Sequence, residues 1–414
     1  MTETPVVTCF LRNRGQVLLL RRSDTVRSFP GQWSGVSGHV APDPPEKAAR
    51  REIREETGLE DAVTLVREGT QFTVVDPESQ RQWAVHPFLF DCTEREVTPN
   101  WETSEWAWVE PAEILRRETV PRLWQSYDHV RPTVERIRED RSHGAAWLSV
   151  RALEVLRDEA ALAIEHHTGD WDSLHALAAT LAETRPSMTV LHNRLASTLD
   201  SADERTPQAL EAAAVEGIER AVEADSQAAA TAASECEGDR ILTLSRSGTV
   251  FDALDGLAPE AVLLPESRPG GEGVEMGRAL ASQTNVTLTS DAGLAHAVAG
   301  FDPNLALVGA DTILADGRVV NKVGTRTLAL VAAAADVPVY VVASVDKISP
   351  ARSVDLEPAD PLSGGDLPED NPLFDATPAA LLAGYCTENG SLDTAEITAC
   401  AEQHRDCRER VGLG

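Results

Sequence analysis

Short apolar runs open the chain and return in its second half, with a long helical stretch between them. Val6–Leu11, Gln16–Leu20 and Trp83–Phe90 have the length and alternation of strands. Asp43-Pro44-Pro45-Glu46 predicts a helix start, with Asp43 as N-cap, Pro44 at the first helical position and Glu46 closing a capping box; Gly58 ends that helix. Residues from about 131 to 225 are rich in Ala, Leu, Glu and Arg at helical spacing, which predicts several helices broken at His166-His167 and Thr184-Arg185-Pro186. From Gly238 onward the period changes. Ile241–Leu244, Ala261–Leu264, Val286–Thr289, Leu305–Val308 and Val337–Val342 alternate with helical segments, the pattern of a doubly wound parallel sheet with ligands at the strand carboxyl ends. The most apolar stretch, Leu328–Val342, is interrupted by Asp336 and Pro338, so it reads as a helix turning into a buried strand and not as a membrane span. Leu356–Asp375, rich in Pro, Asp and Gly, reads as a long acidic loop.

A chain of 414 residues is long enough for two or three domains. Its formal net charge is −30, and all but three of its 37 basic residues are arginine, the lysines being Lys47, Lys322 and Lys347. So negative a surface repels phosphate backbones and argues against direct nucleic-acid binding. High acidity with almost no lysine suits a salt-rich cytoplasm, where screening is short-ranged; an acidic enzyme of ordinary surroundings is the alternative. Cysteines 9, 92, 236, 386, 400 and 407 show neither C-x-x-C pairs nor zinc spacing, which predicts reduced, mostly buried thiols and a cytosolic setting. Met1-Thr-Glu-Thr-Pro has neither a basic region nor an apolar run, against a signal peptide.

The densest chemistry lies in Arg51-Glu52-Ile53-Arg54-Glu55-Glu56-Thr57-Gly58-Leu59. On a helix, Glu52, Glu55 and Glu56 fall three and four residues apart, roughly 5–6 Å between Cβ atoms. Three crowded carboxylates suit a cation such as Mg²⁺, completed by substrate phosphates; a solvated acidic helix is the other reading. Upstream, Phe29-Pro30-Gly31-Gln32-Trp33 and Gly35-Val36-Ser37-Gly38-His39-Val40 form a glycine-punctuated approach that brings backbone close to a ligand.

Gly38 through Leu59 resembles the Nudix box, the signature of hydrolases that act on nucleoside diphosphates linked to another group. The second half of the box matches in full; in the first half, the spacing from Gly38 to Arg51 is one residue short and Asp43 stands where glutamate is usual. The resemblance implies an α/β/α sandwich over residues 1–130 and a Mg²⁺ (or Mn²⁺) site. Glu52, Glu55 and Glu56 would hold the metal or orient the attacking water, Arg51 would brace the carboxylates, and Gly38 would begin the loop. Glu102 or Glu105 would supply a further acidic ligand, with a plain surface carboxylate as the alternative. Substrate choice would lie in loops such as Asp76–Gln82 and Thr93–Glu105.

Farther on, Asp311 sits just past a buried strand, where a carboxylate can face a crevice, while Asn321, Lys322 and the Gly324-Thr325 turn offer donors to an anion. Lys347, another of the three lysines, also follows a strand end. Thr184-Arg185-Pro186 ahead of Asn193, Gly238-Asp239-Arg240-Ile241-Leu242-Thr243, Glu266-Ser267-Arg268-Pro269, the Asp311 and Asn321-Lys322 block, and Asn371-Pro372-Leu373-Phe374-Asp375 leading to Thr387-Glu388 occur in order. From about residue 135 to 395 they are similar to the family uniting the alpha, beta and delta subunits of translation initiation factor 2B with methylthioribose-1-phosphate and ribose-1,5-bisphosphate isomerases. That resemblance implies anion contacts from Arg185, Arg268, Asn321, Lys322 and Lys347, and an acid/base role for Asp311. In the isomerase branch a cysteine partners this aspartate; here the position is Ser245, whose hydroxyl is a far weaker acid than a thiol of pKa ~8.5. Ser142-His143 likewise stands where the sugar-phosphate isomerases carry an arginine.

The expected architecture is therefore a Nudix α/β/α sandwich (1–130), a helical subdomain (131–230) and a Rossmann-like doubly wound sheet (231–414). The expected function is Mg²⁺-dependent hydrolysis of a phosphoanhydride in a nucleotide or nucleotide-linked molecule, joined to a domain that binds a sugar phosphate or nucleotide and forms homo-oligomers. A regulatory or assembly protein with a non-catalytic Nudix module, and a bifunctional hydrolase and isomerase, are the alternatives.

Overall fold

In the computed structural model, which describes residues 3–76, 81–354, 356, 358–359, 361 and 367–414, the first apolar run forms β1 (Glu3–Asn13). Its side chains alternate strictly, Val7, Cys9 and Leu11 entering one core and Phe10 another, as the pleat requires. Seven strands join it: β2 (Gln16–Arg22), β3 (Trp33–Ser34), β4 (Val36–His39), β5 (Val63–Glu68), β6 (Phe72–Asp76), β7 (Arg81–Cys92) and β8 (Thr103–Val109). β1 runs parallel to β7 and antiparallel to β2 and β4; β8 lies antiparallel to β2. The segment 93–105, expected as a loop, thus ends in a strand. Its alternation is weak because β8 is an edge strand, with Glu105 and Trp106 exposed. Residues 77–80 of the other expected loop, like Met1 and Thr2, lie outside the described residues.

Helix α1 (Pro45–Thr57) covers one sheet face through Ala48, Ala49 and Ile53. Its N-cap is Pro44, not Asp43: the Asp43 carboxylate is taken by Lys47 (3.2 Å) and Arg51, and Glu46 turns to Arg50 (3.2 Å), so no capping box closes. Gly58 ends the helix at φ 74°, a left-handed conformation that favours glycine. On the other face lie α2 (Glu113–Arg116), α3 (Leu123–Asp128) and α4 (Val134–Glu139), with Ile114, Leu123 and Tyr127 against Phe10, Leu19 and Leu89. This is the expected α/β/α sandwich.

Four longer helices follow: α5 (Ala145–Glu165), α6 (Trp171–Glu183), α7 (Thr189–Ser201) and α8 (Pro207–Glu235). They do not form a unit of their own. Residues 151–178 and 202–219 join residues 1–140 in one compact unit, while 141–150, 179–201 and 220–414 form the second.

In the first unit, α5 is joined to the sandwich by buried charge. Arg151, Glu154, Arg157 and Asp158 repeat at helical spacing, and on sequence pattern alone such a face would be solvated. Here Glu154, Arg157 and Asp158 have no exposed surface. Arg157 bonds Asp158 (2.8 Å), the Gly15 carbonyl (2.7 Å) and Glu110 (2.9 Å); Arg12 of β1 bonds Asp91 (2.7 Å) and Glu154 (3.1 Å). Burial opposes the charge of Arg157, but the carboxylates of Asp158, Glu110 and Glu154 outweigh it and hold the guanidinium protonated.

The second unit is a parallel sheet of β9 (Arg240–Leu242), β10 (Ala261–Pro265), β11 (Asn285–Thr289), β12 (Leu305–Val308) and β15 (Val339–Val342), extended by β17 (Gly384–Thr387) and antiparallel β18 (Gly390–Leu392). A small antiparallel sheet of β13 (Thr312–Ile313), β14 (Val319–Lys322) and β16 (Phe374–Thr377) stands beside it. Residues 374 and 375, the end of the expected acidic loop, therefore begin strand β16, paired with β14; of that loop, 357, 360 and 362–366 lie outside the described residues. Helices α8, α9 (Gly248–Leu257) and α10 (Glu272–Leu280) pack on one face of the large sheet. The opposite face is covered by α11 (Leu294–Phe301), α12 (Thr325–Ala334) and α13 (Thr394–Arg410), which completes the doubly wound pattern. Among the described residues, no helix is long and apolar enough to cross a membrane.

Removing one member of a buried ion pair strands its partner, at a cost of about 3–5 kcal/mol, whereas replacing both by packed apolar side chains costs far less. Arg157→Ala is expected to destabilise the protein by that amount in denaturant titration, and Arg157→Met with Asp158→Leu by distinctly less.

Candidate functional site

Two places gather reactive side chains, one in each unit. In the first, β4 runs beside α1 so that Gly38 lies against Glu52: a Cβ on Gly38 would stand 2.0 Å from Glu52 Cδ, so any larger residue there would push the carboxylate out of its place. Arg51 donates to Glu52 Oε1 (3.0 Å) and to the His39 carbonyl (2.7 Å) and also pairs with Asp43, which fixes the loop to the helix. Glu56 is 6% exposed and accepts a long bond from the Ser37 N–H (3.4 Å).

The helical spacing places the three glutamates differently from one another. Glu52 and Glu56 turn toward β4, but Glu55 is exposed and pairs with Arg54 at 3.6 Å. Glu55 is thus the most exposed of the three, although its charge still acts on Glu52. A cavity of about 400 Å³ opens beside Glu52, and Glu102 lines it as well. Glu105 does not line it and pairs with Arg21 (3.3 Å). Arg22, Phe29, His39 and Trp83 also line the cavity; Arg22 uses its Nε on the Ser28 carbonyl (2.8 Å) and has no ion pair among the described residues.

Burial first, then the charge of Glu52, push the Glu56 carboxyl up to about 8, and Glu102 adds to the effect. Glu52 is likewise raised by burial, although Arg51 opposes the shift. Among the described residues, no three His, Cys, Asp or Glu side chains stand close enough to form a ready-made metal centre. A site for Mg²⁺ does not need one, because this ion is held by one or two carboxylates plus water and substrate phosphates. Glu52 and Glu56, desolvated oxygen donors that repel each other, fit such a cation, with Glu102 across the cavity.

In the second unit the order β11-β10-β9-β12-β15 reverses direction between β9 and β12, and crevices open at the carboxyl ends at such a reversal. Arg268 follows β10, Ser245 follows β9, Asp311 follows β12 and Lys347 follows β15, so four expected residues share one rim. Ser245 and the buried Ser267 both adopt left-handed backbone, φ 58° and 66°, and the Ser245 N–H donates to Ser267 Oγ at 2.7 Å. Such conformations cost on the order of 1–3 kcal/mol each and cluster at ligand sites.

Several expected donors are already engaged. Lys322 Nζ bonds Glu272 Oε1 (2.8 Å), Asn321 Nδ2 donates to Thr325 Oγ1 (3.0 Å), and Arg268 pairs with Glu266 (3.0 Å). The Gly324 turn does not offer its amides to an outside anion: Asp375 accepts from Gly324 N–H (2.8 Å) and Arg326 N–H (3.1 Å). Arg185 lies ahead of α7 and not at a strand end. Sequence reasoning missed Arg22 and Glu272, and met Ser267 and Asp375 only as parts of motifs, with no role assigned. The contacts of Asp375 reach residues about 50 positions away, which spacing along the chain does not reveal.

A carboxyl raised to about 8 in the fold binds a proton that the unfolded chain, with a glutamate near about 4.3, has released, so stability falls as pH rises between those values. The metal-free protein should therefore lose melting temperature from about pH 5 to pH 8. Glu56→Gln should flatten that decline, and added Mg²⁺ should stabilise the unsubstituted protein most at pH 8.

Residues 141–394 match the model of the Initiation factor 2 subunit family, and residues 2–131 match that of the NUDIX domain. An eIF-2B subunit 2-like protein of Pyrococcus furiosus is 32% identical over 62% of this chain and 94% of its own. A ribose 1,5-bisphosphate isomerase of Haloterrigena turkmenica is 30% identical over 62% of this chain and 88% of its own. The crystal structure of translation initiation factor eIF-2B from Pyrococcus horikoshii OT3 superposes with a TM-score of 0.53 at 29% identity, covering 63% of this chain and 94% of that one. The chain therefore belongs to the Initiation factor 2 subunit family and carries a NUDIX domain ahead of the family region.

Proposed function

We propose that the NUDIX domain hydrolyses a phosphoanhydride bond in a nucleotide or nucleotide-linked substrate, and that the second unit binds a sugar phosphate or nucleotide without isomerising it. The observation that carries the first half is the desolvated pair Glu52 and Glu56 beside a cavity that also holds Glu102 and Arg22. When bound, a divalent cation supplies charge neutralisation at the phosphate and a more acidic water. Glu52 and Glu56 are the residues to hold it. Arg51 keeps the Glu52 carboxylate oriented, Gly38 leaves room for it, and Arg22 faces anionic oxygen from the same cavity. Glu55, exposed on the outer flank of α1, has the weakest support for a direct role.

For the second unit, Asp311 and Ser245 lie past adjacent parallel strands, joined in register at Leu305 with Ile241 and Ala306 with Leu242. The strand-end placement supports ligand binding at the rim. A serine hydroxyl at the strand end next to that of Asp311 is a poor proton carrier near neutrality, which supports binding over isomerisation.

Product analysis with Mg²⁺, at low and high KCl, on nucleoside triphosphates, dinucleotides, nucleotide sugars and ribose 1,5-bisphosphate tests both halves. Glu52→Gln and Glu56→Gln should each lower turnover by about 10²-fold or more while the protein stays folded. Absence of cleavage by folded protein would instead leave the NUDIX domain as a recognition module. Asp311→Asn should weaken sugar-phosphate binding by calorimetry and abolish no turnover; an isomerase activity lost in that variant would overturn the binding-only reading.

A further inference from the structure

Four of the six cysteines are buried, and two of these meet across the second unit. Cys236, one residue past the end of α8, and Cys386, on β17, lie 150 positions apart in sequence with their sulfurs at 3.7 Å. Cys386 has no exposed surface and Cys236 has 6%. The other thiols have no such neighbour. Cys400 and Cys407 stand seven residues apart on α13, about 10.5 Å along its axis. Cys9 is in register with Phe88, so Cys92 lies four positions farther along the paired strand, about 13 Å away. The hydrogen bond shared between the two sulfurs, with Ser391 beside Cys386, makes Cys386 the more acidic of the close pair.

We propose that Cys236 and Cys386 are a reversible redox pair that closes to a disulfide under a hydroperoxide. The Cys386 thiolate attacks one peroxide oxygen and the O–O bond breaks, giving a sulfenic acid and hydroxide or alkoxide, which takes up a proton. The Cys236 thiolate then attacks that sulfur, the S–S bond forms, the S–O bond breaks, and the oxygen leaves as water. Two thiols lose two electrons and the hydroperoxide gains them. A helix end frays more readily than its middle, so the position of Cys236 gives the oxidant and the closing sulfur a route. Closure to a bond of about 2.05 Å requires a small approach of the two elements.

The bond would tie α8 to the strand end that supports the ligand rim. Thr231 of α8 already donates to the Thr387 carbonyl (2.8 Å). The next residue, Glu388, accepts from Ser344 Oγ (3.1 Å) and the Val345 N–H (3.0 Å), at the start of the turn that carries Lys347. The redox state of the pair is thereby linked to the geometry of the rim.

Treating the full chain with hydrogen peroxide under native conditions, then alkylating it in denaturant, reads the pair directly. The expected result is the loss of two alkylatable thiols, a Cys236–Cys386 cross-linked peptide by mass spectrometry, recovery with dithiothreitol, and a melting temperature several degrees above that of the reduced protein. Cys236→Ser and Cys386→Ser should show neither the cross-link nor the melting shift. Retention of all six thiols, a different pairing, or a cross-link that forms only in denaturant would overturn the proposal.

Discussion

Arg157 has no exposed surface, and the first unit is organised around keeping that charge satisfied. A buried guanidinium without partners would unfold its surroundings, so Asp158, Glu110 and the Gly15 carbonyl must all be present, and each comes from a different part of the unit. The tight turn between β1 and β2, the end of β8 and helix α5 are thereby held in one arrangement. Arg12 extends the same network from β1 to Glu154. Charge pairs are directional, so the helix is fixed in rotation and height as well as in contact.

The reverse condition holds a few residues along β1. Glu52 and Glu56 are desolvated beside β4, which pairs with that strand; Arg51 braces Glu52, whereas Glu56 accepts a long bond from the Ser37 N–H and faces the charges of Glu52 and Glu102. Where the network around Arg157 balances opposite charges, this pair leaves negative charge unbalanced beside a cavity. The imbalance raises the proton affinity of Glu56. The two sets of carboxylates are thus distinguished by their neighbours and not by their burial, which is complete or nearly so for Glu154 and Glu56 alike.

In the second unit, topology does the gathering. Parallel strands point their carboxyl ends the same way, and the reversal between β9 and β12 parts the connecting segments. Ser245 and Asp311 come from segments 66 residues apart in number, yet each lies three residues past the end of one of two neighbouring strands. The strained backbone at Ser245 and Ser267 persists because the hydrogen bond between them and the acceptance of the Ser267 N–H by Asp291 hold both turns.

Much of this was legible in the chain. Alternation in Val6–Leu11 and Trp83–Phe90, the helix ended by Gly58, and the strand and helix alternation after Gly238 are local patterns, set by the pleat, by left-handed glycine and by the sidedness of each element. Glu52 and Glu56, four residues apart, were expected on one side of their helix, and both turn toward β4. What local pattern could not settle depended on partners distant in sequence. Glu55 was expected with them but faces outward, Asp43 braces Arg51 instead of capping its helix, and Glu102, not Glu105, reaches the cavity. Most of all, Arg151, Glu154, Arg157 and Asp158 have the sequence of a solvated helix face and the environment of a core. Periodicity shows that side chains lie on one side of a helix; whether that side meets water or an opposite charge is decided only when the chain has folded back on itself.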